Sequence, residues 1–141
     1  ALMPVLWRVG ALGTFADRGQ SIPVLALGLV AGCGFLWLFR RSHKDLGRNW
    51  SVTLEVREGH QLVTQGVYAF VRHPMYASFF LWGIAQALLI PNWIAGLAGL
   101  TAVAALYAVR QENEEAMMRE TFGAQYDAYC QRTRRLIPGV F

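Results

Sequence analysis

Charge is scarce in this chain, and over long stretches it is missing. Only 16% of the 141 residues are charged, against 55% that are hydrophobic. Residues 75–109 make a run of 35 without one charge, and Ile22 to Phe39 gives another 18. A soluble domain of this length rarely carries such runs, so the composition points to the membrane class. Cysteine is nearly absent: Cys33 lies in an apolar run and Cys130 in a polar tail. That excludes a disulfide framework. His43, His60 and His73 have no cysteine partners at zinc spacing, so no metal is expected. There is no G-x-G-x-x-G after a strand, no Walker loop and no G-x-S-x-G elbow, so a soluble Rossmann-type cofactor domain does not fit. Residues 1–16 lack the basic start and small-residue cleavage site of a signal peptide.

What remains is an all-α pattern in a single domain over residues 1–141. The apolar runs predict a multi-pass transmembrane bundle with about four spans, over residues 2–15, 22–41, 74–90 and 93–111. Ser21 caps the second helix, with Pro23 in its first turn. Gly28 and Gly32 place a small-residue face on that helix, suited to close packing. Pro91-Asn92 closes a hairpin between the last two spans. Residues 42–73 and 112–141 are polar. Within the second of these, Met118, Phe122, Tyr126 and Tyr129 form an apolar stripe, which predicts an amphipathic helix over Glu112 to Gln131. Of 13 Lys and Arg, 11 lie in the segments Arg40 to Arg57, Arg72, and Arg110 to Arg135. Single crossings put all three on one side, and the positive-inside rule makes that side cytoplasmic. These charges flank spans, so they read as topology and contact with anionic lipid, not as a nucleic-acid surface.

The segment His60 to Tyr76, HQLVTQGVYAFVRHPMY, leads straight into the longest uncharged run. Irregular backbone at membrane depth survives only where protein buries it or it lines a wet cavity. Pro74 suits the first position of a helix, and the free N–H groups at such an end favour an anion. His73 and Tyr76 bracket that end. The motif reads equally well as an interfacial anchor, because Arg and Tyr favour the headgroup level. Arg110 and Glu114 are four apart and share a helical face where the last span ends. They are either a surface ion pair or two charged handles at a cavity mouth. Glu115 and Arg119 repeat the spacing and read as a surface pair.

Together these residues resemble the isoprenylcysteine carboxyl methyltransferase family, with its prokaryotic members foremost. The matching elements are HKDLGRNWS at His43–Ser51, HQLV at His60–Val63, GVYAFVRHPMY at Gly66–Tyr76, ENEE at Glu112–Glu115, FGAQYDAY at Phe122–Tyr129 and RLIP at Arg135–Pro138. The resemblance implies an integral membrane enzyme that uses S-adenosylmethionine (SAM) and releases S-adenosylhomocysteine. It implies a cytoplasmic cofactor-binding loop and a lipophilic substrate entering from the bilayer. Carried over to this chain, it implies that His60, Gln61, Leu62, Val63 and Tyr68 line the cofactor pocket. His73, Pro74, Met75 and Tyr76 would hold the polar end of SAM, with Glu114. Arg110 would be the catalytic residue, holding the substrate carboxylate; Glu55 is a weaker addition. Phospholipid or amine N-methylation is the related alternative, and a non-catalytic membrane subunit the second. Longer members carry further N-terminal helices.

Overall fold

The computed structural model describes residues 2–11, 14, 16–47 and 61–140. His60 and Glu55 lie outside the described residues. Among the described residues five α-helices follow in order: α1 (Leu2–Arg8), α2 (Ile22–Leu46), α3 (Pro74–Leu89), α4 (Trp93–Phe122) and α5 (Ala124–Arg132). A 3-10 turn over Gly66–Ala69 precedes α3. Among the described residues there is no strand, only the isolated bridges Asp17–Asn92 and Val71–Arg134. The fold is all-helical.

The chain forms two compact units, one of Ala1–Trp37 with Ser78–Leu106, the other of Leu38–Ala77 with Tyr107–Phe141. In the first unit, helices pack where side chains are smallest. A Cβ on Gly28 of α2 would come within 2.8 Å of Leu89, and one on Gly83 of α3 within 2.8 Å of the Leu100 Cα in α4. The turn between α3 and α4 is capped from both sides. Buried Asn92 accepts the Ala95 N–H at 2.9 Å and donates to Asp17 at 2.8 Å. The Arg18 guanidinium donates to the carbonyls of Ala87, Leu88 and Ile90, satisfying the acceptors left at the end of α3.

Helices α2 and α4 are long and apolar enough to cross a bilayer, and α3 is a shorter apolar helix. Only 6% of the apolar window of α2 is buried, whereas the core helix of a soluble protein would be mostly covered. Leu27, Leu29, Val30, Leu36 and Trp37 all point outward. Apolar exposure on that scale fits a lipid-facing surface.

Three boundaries differ from the sequence expectation. Helix α1 covers Leu2–Arg8, not residues 2–15. It closes at Gly10, where the Gly10 N–H reaches the Trp7 carbonyl and the Ala11 N–H the Leu6 carbonyl, the paired bonds of a Schellman stop. Seven residues rise only about 10 Å, well short of a ~30 Å hydrocarbon core. Helix α2 continues past Arg41 to Leu46, because its polar last turn still makes i→i−4 side-chain contacts: Ser42 to the Leu38 carbonyl at 2.7 Å and Arg41 to Asp45 at 3.1 Å. The expected helix over Glu112 to Gln131 is two pieces. Its first part is the end of the 30-residue α4, and Gly123, at φ +49°, separates that from α5.

Candidate active site

The second unit holds the residues that the sequence singles out. Asp45 in the last turn of α2 accepts the Val67 N–H at 2.9 Å and an Arg41 N–H at 3.1 Å. It thereby caps the 3-10 turn that carries Tyr68. Gly66, at φ +62°, lets the chain pass beside that carboxylate; a Cβ there would collide with Asp45 Oδ2. Only glycine takes that backbone at no steric cost. Tyr68 is buried, and its carbonyl accepts the Tyr129 hydroxyl of α5 at 2.6 Å. Burial pushes the phenols of Tyr68, Tyr126 and Tyr129 above their ordinary value, so all three remain protonated donors.

The next residues pair with the C-terminal segment. The Arg72 N–H donates to the Arg134 carbonyl at 2.7 Å and the His73 N–H to the Arg135 carbonyl at 2.9 Å. The Arg72 guanidinium also donates to the carbonyls of Thr133 at 2.5 Å and Cys130 at 3.2 Å. Pro74 is fully buried and opens α3, and the His73 carbonyl accepts the Ala77 N–H at 3.0 Å. His73 is thus fixed by its backbone on both sides before its ring makes any contact.

Glu115 is the centre of the cluster. It is 1% exposed, and the expected surface pair with Arg119 is therefore corrected. Its Oε1 accepts from Arg72 Nε at 3.2 Å, Arg135 Nε at 3.2 Å and His73 Nε2 at 3.3 Å. Its Oε2 accepts from Arg135 Nη2 at 3.1 Å and Arg119 Nη2 at 3.5 Å. Burial alone would raise its pKa. The bonds from His73 and Arg135 and the charges of Arg72 and Arg135 outweigh that and hold it well below the usual carboxylate range. A buried carboxylate persists only when paired and hydrogen-bonded in this way.

Glu114, one residue earlier, faces a different set. The Tyr76 hydroxyl donates to its Oε1 at 2.6 Å, and Arg110 Nε lies 3.4 Å from the same oxygen. Its Oε2 is 3.9 Å from His73 Nδ1. The rings of Tyr76, His73 and Tyr107 meet edge to face, with centroids 5.2 to 6.0 Å apart. Buried polar atoms without a hydrogen-bond partner among the described residues include Arg110 Nε and the Gln111 carbonyl oxygen.

The structure therefore gathers His73, Tyr76, Arg110 and Glu114 into one cluster, with Pro74 and Met75 as the first residues of the helix between them. Tyr68 is held in the same unit through Tyr129. Gln61, Leu62 and Val63 form an irregular segment ahead of the turn, with Gln61 exposed and the other two half-buried. Sequence reasoning missed Asp45, Arg72, Glu115 and Arg135 as organising residues. A signal existed for Glu115: Val103, Tyr107, Gln111 and Glu115 recur every fourth residue and are all buried, so Glu115 sits on the inward stripe of α4.

The sequence profile of the isoprenylcysteine carboxyl methyltransferase family matches residues 26–120. The chain belongs to this family. Protein-S-isoprenylcysteine O-methyltransferase B of Arabidopsis thaliana is 35% identical over 96 residues, covering 67% of this chain and 49% of the relative. The Homo sapiens protein-S-isoprenylcysteine O-methyltransferase is 36% identical over 92 residues, covering 65% of this chain and 32% of the relative. The solved structure of the eukaryotic intramembrane Ras methyltransferase superposes with a TM-score of 0.74 at 28% identity, covering 96% of this chain and 47% of that one. This family member spans about half the length, or less, of those relatives. The isoprenylcysteine carboxyl methyltransferase match contains Asp45, His73, Tyr76, Arg110, Glu114 and Glu115 and stops before Arg135.

Proposed function

We propose that this chain carries the methyl-transfer site of a SAM-dependent membrane enzyme whose acceptor is a lipophilic carboxylic acid such as a prenylated cysteine. The observation that carries the reading is the cluster of Tyr76, from the first turn of α3, with Glu114 and Arg110 of α4, next to a carboxylate that four cationic or imidazole groups hold ionised. SAM bears a sulfonium, an ammonium and a carboxylate. The residues present suit it: Glu114 offers anionic acceptors, and the buried Gln111 side-chain oxygen offers one that no group among the described residues satisfies. When bound, SAM supplies an electrophilic methyl group. His73, Pro74, Met75 and Tyr76 would hold its polar end with Glu114. His60, Gln61, Leu62, Val63 and Tyr68 would line the rest of the pocket.

Arg110 would hold the carboxylate of the acceptor. A carboxylate is already ionised at neutral pH, so the site needs no general base. The work left to the protein is orientation and exclusion of water. The apolar exterior of α2 and α4 would let a lipophilic acceptor approach from the bilayer, and the flanking basic residues would keep the site on the cytoplasmic face.

The test is transfer of label from SAM to N-acetyl-S-farnesylcysteine by the purified protein in detergent, scored as methanol released by base. Label in the native protein and none in Arg110→Ala supports the reading. Base-stable label on an added amine or phospholipid headgroup would replace it with N-methylation.

A further inference from the structure

His73 stands between two glutamates that the sequence places side by side. Its Nε2 is 3.3 Å from Glu115 Oε1, within hydrogen-bond reach, and its Nδ1 is 3.9 Å from Glu114 Oε2, beyond it. Glu115 Oε1 also accepts from Arg72 and Arg135, so it is an acceptor only. The shared hydrogen therefore belongs to His73 Nε2. In the neutral ring, Nδ1 then carries a lone pair.

We infer that Glu115 is a positioning residue: by taking the Nε2 hydrogen it sets the His73 tautomer, so that Nδ1 and Glu114 Oε2 form a pair of acceptors for one ammonium group. Two acceptors 3.9 Å apart leave room for a single donor about 2.9 Å from each. Glu114 adds a negative charge, so a cationic N–H donor is held more tightly than water or a hydroxyl. A sulfonium has no hydrogen to donate. Of the cationic groups of SAM, only the α-ammonium matches. The inference rests on the methyltransferase reading for the identity of that ligand, but its first prediction concerns the free protein alone.

The arrangement explains why Glu115 is so heavily supported. Arg72 and Arg135 hold the carboxylate in place, and the backbone bonds from the His73 N–H and carbonyl hold the ring's base. The His73 ring is closed in by Tyr76 and Tyr107, so it has little freedom to turn its other nitrogen toward Glu115. Control over the tautomer is thus exerted by a residue with no place in the ligand pocket.

The experiment is nitrogen-15 NMR of histidine-labelled protein in detergent at about pH 8.5, above the ordinary histidine range. The His73 signals are assigned by their loss in His73→Asn. The native protein should show a protonated Nε2 and a bare Nδ1. Glu115→Leu should lose that pattern and weaken S-adenosylhomocysteine binding about tenfold or more in calorimetry. Glu115→Gln keeps an acceptor oxygen and should restore both. A hydrogen on Nδ1 in the native protein overturns the inference, as does a Glu115→Leu protein with native tautomer and native affinity. Where Glu115→Leu fails to fold, the native spectrum alone decides. A native protein with the expected ring and no affinity for S-adenosylhomocysteine would sink the methyltransferase reading and leave the role of Glu115 standing.

Discussion

Replacing Gly66 by alanine should cost more in the native chain than in one that already lacks the Asp45 carboxylate. A Cβ at Gly66 would collide with Asp45 Oδ2 and stand only 2.5 Å from its Cγ. The backbone there is at φ +62°, a conformation that costs an L-residue about 1–2 kcal/mol. The carboxylate must also retreat, breaking its 2.9 Å bond to the Val67 N–H. Loss of such a cap costs about 0.5–2 kcal/mol. The sum is about 1.5–4 kcal/mol, with a centre near ~2.5. At this chain length each kcal/mol shifts Tm by roughly 2–4 °C, so Gly66→Ala should melt roughly 5–10 °C lower. In an Asp45→Ala background the three nearest atoms, all of the Asp45 carboxylate, are gone and no cap is left to lose. There the substitution should cost only the backbone part, about 1–2 kcal/mol. The difference, about 0.5–2 kcal/mol, is the coupling that a double-mutant cycle measures by thermal or denaturant unfolding in detergent. Equal costs in both backgrounds would refute the view that Asp45 seats the turn.

Further outcomes follow from the same cluster. Arg110→Ala should lose turnover and keep SAM affinity, whereas Glu114→Ala should lose SAM affinity; equal affinity in Glu114→Ala and native protein, by calorimetry, would remove Glu114 from the cofactor site. Tyr76→Phe deletes the 2.6 Å bond to Glu114 and should raise the Kd for SAM about tenfold with little change in melting temperature. The Glu115 carboxyl sits below its ordinary value near 4.5, so it adds stability above that pH and loses it as pH falls further. The native melting temperature should therefore drop between about pH 5 and pH 3, while Glu115→Gln, less stable at neutral pH, should lack that part of the fall. Truncation after Arg132 removes the carbonyls that receive the Arg72 and His73 N–H groups at 2.7 and 2.9 Å, together with Arg135. The shortened chain should melt lower and bind SAM less tightly; unchanged melting and binding would mean that residues 133–141 have no part in the site.

The apolar runs made the long helices legible because a span is a property of composition alone. Pro74 and Trp93 mark helix starts in both readings, since proline geometry and a turn at Pro91-Asn92 are local signals. The end of α1 was not legible, because hydropathy continues past Arg8 while the Gly10 turn has already closed the helix. Nor was the break at Gly123, where a stripe of apolar residues runs on across a backbone that does not. Tyr76, Arg110 and Glu114 could be proposed from the family resemblance and from i, i+4 spacing. Asp45 and Arg135 could not be assigned a role, because their partners are 22 and 20 residues away and only folding brings them together.

Glu114 and Glu115 show why spacing alone misleads. Both fit an i, i+4 pair with an arginine, Glu114 with Arg110 and Glu115 with Arg119, so spacing by itself does not tell the pairs apart. Consecutive helical residues point about 100° apart, so one glutamate can face a pocket while its neighbour faces the packed interior. The inward stripe of α4 decides which is which, and it runs through Glu115. A carboxylate there is tolerated only because three segments converge on it: Arg72 and His73 ahead of α3, Arg119 on α4, and Arg135 beyond α5. Removing one partner of such a buried pair costs about 3–5 kcal/mol, since the remaining charge is left uncompensated. The cluster therefore makes the position of His73 depend on the C-terminal segment, and that segment lies outside the residues 26–120 by which the family is recognised.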